Sequence, residues 1–541
     1  MKTQKKNQMH SNKIHNTKRS QDSNFLTTFL DNYQSYFRKC GKFTSRSYNL
    51  NYFYSYYLQY YSRFKQTSIT FVNEDNLPKS PELDIYLDNI GSGDLFQTKR
   101  QYESKITVIF KLLAKKYRSL LDQIFQVYEF TPEEIKLVNL FLQKLLENKL
   151  REEQIVEWYN LHGKKLARAI YICILDNKFP EEISQLIGFN PDIYGEFTSL
   201  DIQKDIELNL PYGKKLKYQM NNISLDLKVY SSSSNYQPSN GLLDKIFFLY
   251  FIQNKKDINL TLWLSKKKKE LKSFRKQRYI GPKEINSGAT SFGPEGKKVS
   301  IWREEELNKV LLHELFHSLD LEDRMNTADL ENFVYQHFDV RRDLNKLTIF
   351  ENYVELMADI INVFFLVEDT FNYSLKKSQK LRTSKKIKMT YKKILREKKE
   401  MFRDIIWIEK CWAMFQAAKV LHYFRYTKIE DFYFSQGINE TQKTAKYMQK
   451  SNVFSYIILR SICFFRLNKF LALCRKYNTS NLLEYNIPTE VMINFWKDTL
   501  DKSKYMEQIN QLLELLREIE FKKNTKAIVF KSMRMTCVES K

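Results

Sequence analysis

The chain has 541 residues, 43% hydrophobic and 15% aromatic, enough to bury sizeable cores, so peptide-sized, fibrous and globally disordered proteins are excluded despite 28% charge. Only 13 glycines and 10 prolines occur, which disfavours collagen-like and propeller folds and favours long helices. The 88 Lys and Arg against 63 Asp and Glu leave +25. That charge suits a polyanionic partner, but AT-rich coding also yields many lysines and tyrosines with few glycines, so charge alone assigns nothing.

Residues 1–24 form a basic segment, read as a disordered tail. Residues 25–210 carry a helical pattern, read as an N-terminal domain. Within it Thr131-Pro132-Glu133-Glu134 places a capping threonine, a first-turn proline and acids at the positive end of a helix, and Phe179-Pro180-Glu181-Glu182 predicts another start. Tyr48 to Tyr61 holds eight aromatics in fourteen residues. A base-stacking surface would interleave Arg or Gly with them; none is interleaved here, and a core segment or compositional bias is the better reading.

From 211 the pattern changes to short β-prone runs: Ile223 to Tyr230, where apolar residues alternate, then Ile258 to Leu264 and Val299 to Trp302. Ser231 to Asn235, Gly281-Pro282, Gly293-Pro294 and Gly296 mark loops. Helical periodicity returns at Glu304. Lys376 to Lys399 then contains twelve Lys or Arg and one acid; residues 371–400 are read as a basic linker or exposed helix, with nucleic acid or an anionic surface as its possible partner. Residues 401–541 are read as a helical C-terminal domain. Six cysteines without a C-x-x-C pair fit a reducing compartment and offer no thiolate zinc site. The longest apolar runs are far short of a membrane span and the N-terminus lacks an apolar signal region, so a soluble intracellular protein with no transmembrane segment is expected. No phosphate-binding or dinucleotide glycine loop is present.

The informative residues are His313-Glu314-Leu315-Phe316-His317, an H-E-x-x-H motif in the helical run from Glu304 to Leu319. Residues four apart share a helix face, so both imidazoles reach one Zn²⁺ while Glu314 stands beside the water the ion activates. A zinc hydrolase needs a third protein ligand. Glu355 is favoured, with Asp359 one turn later orienting a ligand histidine. Asp323, six residues beyond His317, is the rival; it fits a class that reverses the chain at a glycine, where this sequence has Asp320.

Asn286 to Thr290, Val299 to Glu305, the H-E-x-x-H helix, Glu351-x-Tyr353-x-Glu355-x-x-Ala358 and Asn452 to Arg460, in this order, resemble a family of inferred zinc metallopeptidases of nucleocytoplasmic large DNA viruses. The resemblance covers about residues 285–485. It implies a glutamate-zincin-like peptidase with one Zn²⁺ on His313, His317 and Glu355, Glu314 as general base, a polypeptide substrate, and a place in the host cytoplasm or virion.

The expected fold is therefore α+β and mainly helical: a zincin-like catalytic region over 211–370 with a small sheet, flanked by helical domains. The expected function is zinc-dependent peptide-bond hydrolysis. Tyr456, His422 and Tyr353 are candidate oxyanion donors, and Val299 to Trp302 or the Asn286 to Thr290 segment is the candidate substrate-holding strand. The alternative is a basic structural or nucleic-acid-binding protein whose zinc site is vestigial or structural.

Overall fold

A computed structural model describes residues 43, 47–77, most of 114–166, 198–271, 278–293, 296–380, 391–479, 481–521 and 527–539. The expected basic tail and the helix start at Phe179 lie outside the described residues. The described chain begins with helix α1 (Tyr48–Phe64) and strand β1 (Thr70–Leu77). On α1, Leu50, Phe53, Tyr54, Tyr57, Tyr61 and Phe64 recur every three or four residues and are buried. Part of the aromatic run thus lies in the core: Phe53, Tyr54, Tyr57 and Tyr61 are buried, while Tyr48 is exposed.

Two compact units are present. The smaller, 76–214 with 230–234, contains α2 (Arg118–Val127), α3 (Pro132–Leu146) and α4 (Leu200–Asn209). Helix α3 starts as its sequence requires. The Thr131 hydroxyl accepts from Glu134 N at 3.2 Å, the Glu134 carboxylate accepts from Thr131 N at 2.8 Å, and Pro132 opens the first turn.

The larger unit is built on a six-stranded mixed sheet ordered β1-β2-β3-β4-β6-β5. Strands β2 (Tyr212–Met220) and β3 (Ile223–Ser231) flank a tight turn in which Asn221 takes φ 52°, a left-handed conformation that asparagine tolerates. Ile223, Leu225, Leu227 and Val229 all point into the core, the period-two pattern read from the sequence. Helix α5 (Asn240–Gln253) leads to β4 (Asp257–Trp263). A one-turn helix, α6 (Pro282–Ile285), precedes β5 (Gly288–Gly293) and β6 (Gly296–Ile301). Strand β6 runs parallel to β4, and β5 pairs antiparallel with β6 from Gly288 opposite Ile301 to Gly293 opposite Gly296. This leaves β5 at the edge of the sheet.

Helix α7 (Leu307–Ser318) follows β6 and carries the H-E-x-x-H residues. It is buried from Asn308 to Phe316, being packed against β5, β6, α5 and the long α9 (Glu351–Lys380), which comes after α8 (Thr327–His337). Helix α10 (Tyr391–Tyr423), a π-helical turn at Phe454–Leu459, α11 (Arg460–Phe465), α12 (Leu467–Tyr477), α13 (Thr489–Asp501), α14 (Tyr505–Phe521) and α15 (Ala527–Lys531) complete the unit. The segment after α15 enters the core: Met533 N donates to Lys269 O at 2.9 Å and Trp412 Nε1 to Arg534 O at 3.0 Å.

Two readings change. The helices after 401 are not a separate domain, because one hydrophobic core runs from α1 through the sheet and α9 to Val538. The expected basic linker is the end of α9 and the start of α10, with residues 381–390 outside the described part. One of its lysines is no solvated charge. Lys398 is buried and donates to Glu368 at 2.6 Å, and the Tyr54 hydroxyl donates to the other oxygen of the same carboxylate. The cysteines at 411, 463, 474 and 537 are buried, and no helix among the described residues is long and apolar enough to cross a membrane.

Replacing Lys398 with Met leaves Glu368 charged in the core without its cation. The expected loss is about 3–5 kcal/mol of stability, read from a urea midpoint, while exchanging the exposed Lys392 and Lys393 for Gln should change it by less than about 0.5 kcal/mol.

Candidate metal centre

Two helical stripes face each other. On α7, Lys309, His313 and His317 follow at intervals of four, and on α9 so do Glu351, Glu355 and Asp359; each trio therefore lies along one face. The stripes meet in register. Glu351 Oε2 is 3.1 Å from His313 Nε2 and 3.2 Å from His317 Nε2, and the two Nε2 atoms are 3.2 Å apart. One turn on, Glu355 Oε2 lies 2.7 Å from His313 Nδ1 and its other oxygen accepts from Lys309. At the next level Asp359 pairs with Arg460 at 2.7 Å.

The geometry thus gives the position beside both Nε2 atoms to Glu351, whereas the sequence reading gave it to Glu355. Glu355 stands behind His313, in the orienting role assigned from sequence to Asp359. Asp359 is one turn too far along α9 and is held by Arg460, whose Nη1 also donates to Met535 O at 2.7 Å. Asp323 is exposed on the turn after α7 and is no part of the group. Asp320 does take the left-handed conformation, φ 59°, that a glycine would favour there. The turn it makes brings back Glu322, whose carboxylate meets His317 Nδ1.

The three converging atoms fit a cation. Three donors arranged tetrahedrally about Zn²⁺ at its usual 2.0–2.1 Å would be separated by roughly 3.3 Å, close to the observed 3.1, 3.2 and 3.2 Å. Each of the three also has a neighbour behind it: Glu355 Oε2 lies close to His313 Nδ1, Glu322 meets His317, and Asn452 donates to Glu351 Oε1 at 3.0 Å and leaves Oε2 for the centre. Such outer partners orient ligands and keep their metal-facing atoms free.

Electrostatics point the same way. Burial opposes charge on both histidines, but it is outweighed at His313 by Glu351 and Glu355 and at His317 by Glu351 and Glu322, so both are held above the ordinary imidazole range. Burial would raise Glu351, yet the histidines, His317 first, bring it down to about 2. The pocket collects positive charge between its donors, and a dication supplies that charge without protons.

Glu314, next to His313 on α7, turns its carboxylate towards β5. Its Oε2 accepts from the Thr290 hydroxyl on β5 at 2.9 Å, and burial lifts its carboxyl above the usual range. Strand β5 presses closely on it: a Cβ on Gly288 would lie 2.8 Å from Glu314 Cγ and Oε1, so only glycine allows this approach. The edge strand beside the site is therefore β5, at the Asn286 to Thr290 segment; Val299 to Trp302 is the end of the inner strand β6 and the residue following it. Of the candidate oxyanion donors, Tyr456 is placed by the π-helical turn with its ring 5.6 Å from that of His313. Tyr353 donates to Leu483 O at 3.0 Å and His422 Nε2 lies 3.0 Å from Glu520, so both are engaged elsewhere.

Glu351, Glu322, Lys309, Arg460 and Thr290 were not singled out as site residues from the sequence. A signal existed for the first: Glu351 shares the face of Glu355 and lies one turn closer to the start of α9. None existed for Glu322, which reaches His317 only through the turn at Asp320.

Comparison of the chain with protein-family models, curated proteins and solved structures finds no match. The viral metallopeptidase resemblance accordingly rests on the residues that carry it.

Chelator competition should show Glu351→Gln losing most of the zinc affinity, Glu355→Gln losing about 10–100-fold through its effect on His313, and Asp323→Ala losing none, with circular dichroism confirming the fold. Because both histidines hold protons above their ordinary range, zinc uptake at neutral pH should release protons. Apparent affinity should rise with pH until those groups are neutral, which calorimetry in buffers of different ionisation enthalpy would read.

Proposed function

We propose that this protein is a zinc-dependent peptidase binding one ion per chain. The observation that carries the reading is the convergence of His313, His317 and Glu351 at mutual distances of 3.1–3.2 Å, with Glu314 one residue from the first ligand and an open sheet edge beside it. Two imidazoles and one carboxylate are a donor set suited to catalytic zinc, and three protein ligands leave a coordination position for a reactant, whereas structural zinc is closed by four. Among the described residues no fourth ligating side chain joins the three. This favours the catalytic reading over the structural one. When bound, zinc acts as a Lewis acid that acidifies water and polarises a carbonyl.

The remaining roles belong to the chain. Glu314 accepts a proton from water and returns it to the departing amine; its raised carboxyl range brings it nearer the neutral pH at which such an exchange is efficient. Thr290, held on β5, fixes the direction of that carboxylate through its hydroxyl. Tyr456 keeps its phenol proton, since burial followed by Glu351 and Glu314 pushes its pKa well above 10, and so it serves as a donor to developing negative charge on the carbonyl oxygen. The free edge of β5 offers main-chain donors and acceptors to an extended polypeptide, the mode by which sheet edges bind peptides regardless of sequence.

Glu314→Gln removes the proton acceptor and keeps the shape. It should lower cleavage of a mixed peptide library by about 10²–10⁴-fold while zinc content, measured by mass spectrometry of the intact metal, stays at one per chain. Undiminished cleavage in this variant would refute the mechanism, and a parent chain without tightly bound zinc would refute the reading.

A further inference from the structure

Beside Glu314 and His313 lies a cavity of about 30 Å³. Its walls include Ser287 just before β5, Gly288 at its start, His313 and Glu314 on α7, Glu355 on α9, and Met535 from the C-terminal segment. The space accommodates about two water molecules, which is also two heavy atoms of a side chain. Two further features make it a built pocket. The Ser287 side chain is 3% exposed and its Oγ has no hydrogen-bond partner within the chain, an arrangement that costs free energy unless something else occupies the site. The main chain that carries Met535 is held in place, because its carbonyl accepts from Arg460 and the next residue's N–H donates to Glu306 at 2.6 Å.

We propose that this cavity is a specificity pocket, bounded by Ser287 and Met535, that admits only a small side chain of the polypeptide substrate, that of glycine, alanine or serine, next to the bond being cut. The proposal rests on the peptidase reading. Its position follows from the walls: the same cavity touches the proposed base and the first residue of the edge strand, so it adjoins the path of a peptide lying along β5. Its size follows from Met535 and Val310, and the Ser287 hydroxyl offers it a buried polar group with no hydrogen-bond partner among the described residues. The lysines that also border it, Lys309 and Lys269, are already matched by Glu355 and Glu306, so an acidic side chain finds no unmatched cation there.

The test is a peptide library varied at the two positions flanking the cleaved bond. The parent should prefer Gly, Ala or Ser over Leu at one of them by about 10-fold or more. Met535→Ala, which enlarges the pocket, should move the preference towards Val, Leu or Met by a similar factor. Ser287→Ala should remove any advantage of Ser over Ala; because the Ser287 hydroxyl bonds nothing in the chain, this variant keeps its fold and remains informative if Met535→Ala is unstable. The same ranking should appear without turnover, as peptide affinities for the Glu314→Gln variant measured by fluorescence anisotropy. A zinc-loaded parent that cleaves peptides yet accepts Leu equally at both positions overturns the pocket alone, as does a Ser287→Ala variant with an unchanged Ser to Ala ratio. A parent that binds no zinc and cleaves nothing overturns the peptidase reading and this inference together.

Discussion

Helices α7 and α9 meet through charged side chains in a region from which water is excluded, and the larger unit is arranged around that contact. Lys309, His313 and His317 on one helix face Glu351, Glu355 and Asp359 on the other, and all but His317 are among the buried residues. An ion pair of this kind contributes little net stability, but removing one partner leaves a charge that the low-dielectric interior cannot solvate. The stripes must therefore stay in register, with every carboxylate opposite a cation. A slip of one turn would set Glu351 where no pair of Nε2 atoms awaits it and would leave Asp359 beyond Arg460.

That requirement accounts for the number of elements that converge behind the site. Arg460, just after the π-helical turn, reaches Asp359 and Glu355; Asn452, before it, holds Glu351; the C-terminal segment supplies the Met535 carbonyl to Arg460 and takes Glu306 as acceptor for Thr536 N. Glu306 in turn is matched by buried Lys269 at 2.9 Å. Residues more than two hundred positions apart thus form one continuous polar layer inside an otherwise apolar core. The absence of a boundary near 401 has the same cause: α10, α11 and the C-terminal segment complete the charge balance of α7 and α9 and cannot form a separate unit.

Local chemistry was legible in the sequence wherever neighbours along the chain decide the outcome. The capping box at Thr131, the aromatic face of α1, the alternation of β3 and the i, i+4 pairing of His313 with His317 each follow from periodicity or capping within a few residues. Strand β5 was less readable, because its glycines and small residues make a weak β pattern; what places it is the need for Gly288 to lie against Glu314. The acids Glu304 to Glu306 read as helix-start residues, yet Glu306 makes no cap. It takes φ 60° at the entry to α7 and spends its carboxylate on Lys269 and Thr536, a tertiary pairing invisible to any local rule.

The choice between Glu351 and Glu355 shows where spacing stops being informative. Both lie on the same face of α9, four residues apart, so helical periodicity treats them alike and only the axial offset between α7 and α9 separates them. The pairing of Lys309 agrees with that offset. A lysine one turn before His313 demands a carboxylate at its own level, and with α9 packed against α7 the acid that meets it is Glu355. Glu351 then falls level with the Nε2 atoms by the same 5.4 Å turn. Had position 309 been apolar, like its neighbour Val310, a shift of α9 that brought Glu355 forward would have left no buried ammonium without a partner. The acid that stands beside both Nε2 atoms is therefore tied to the pairing of Lys309, a residue outside the converging group, through the cost of leaving that buried charge unmatched.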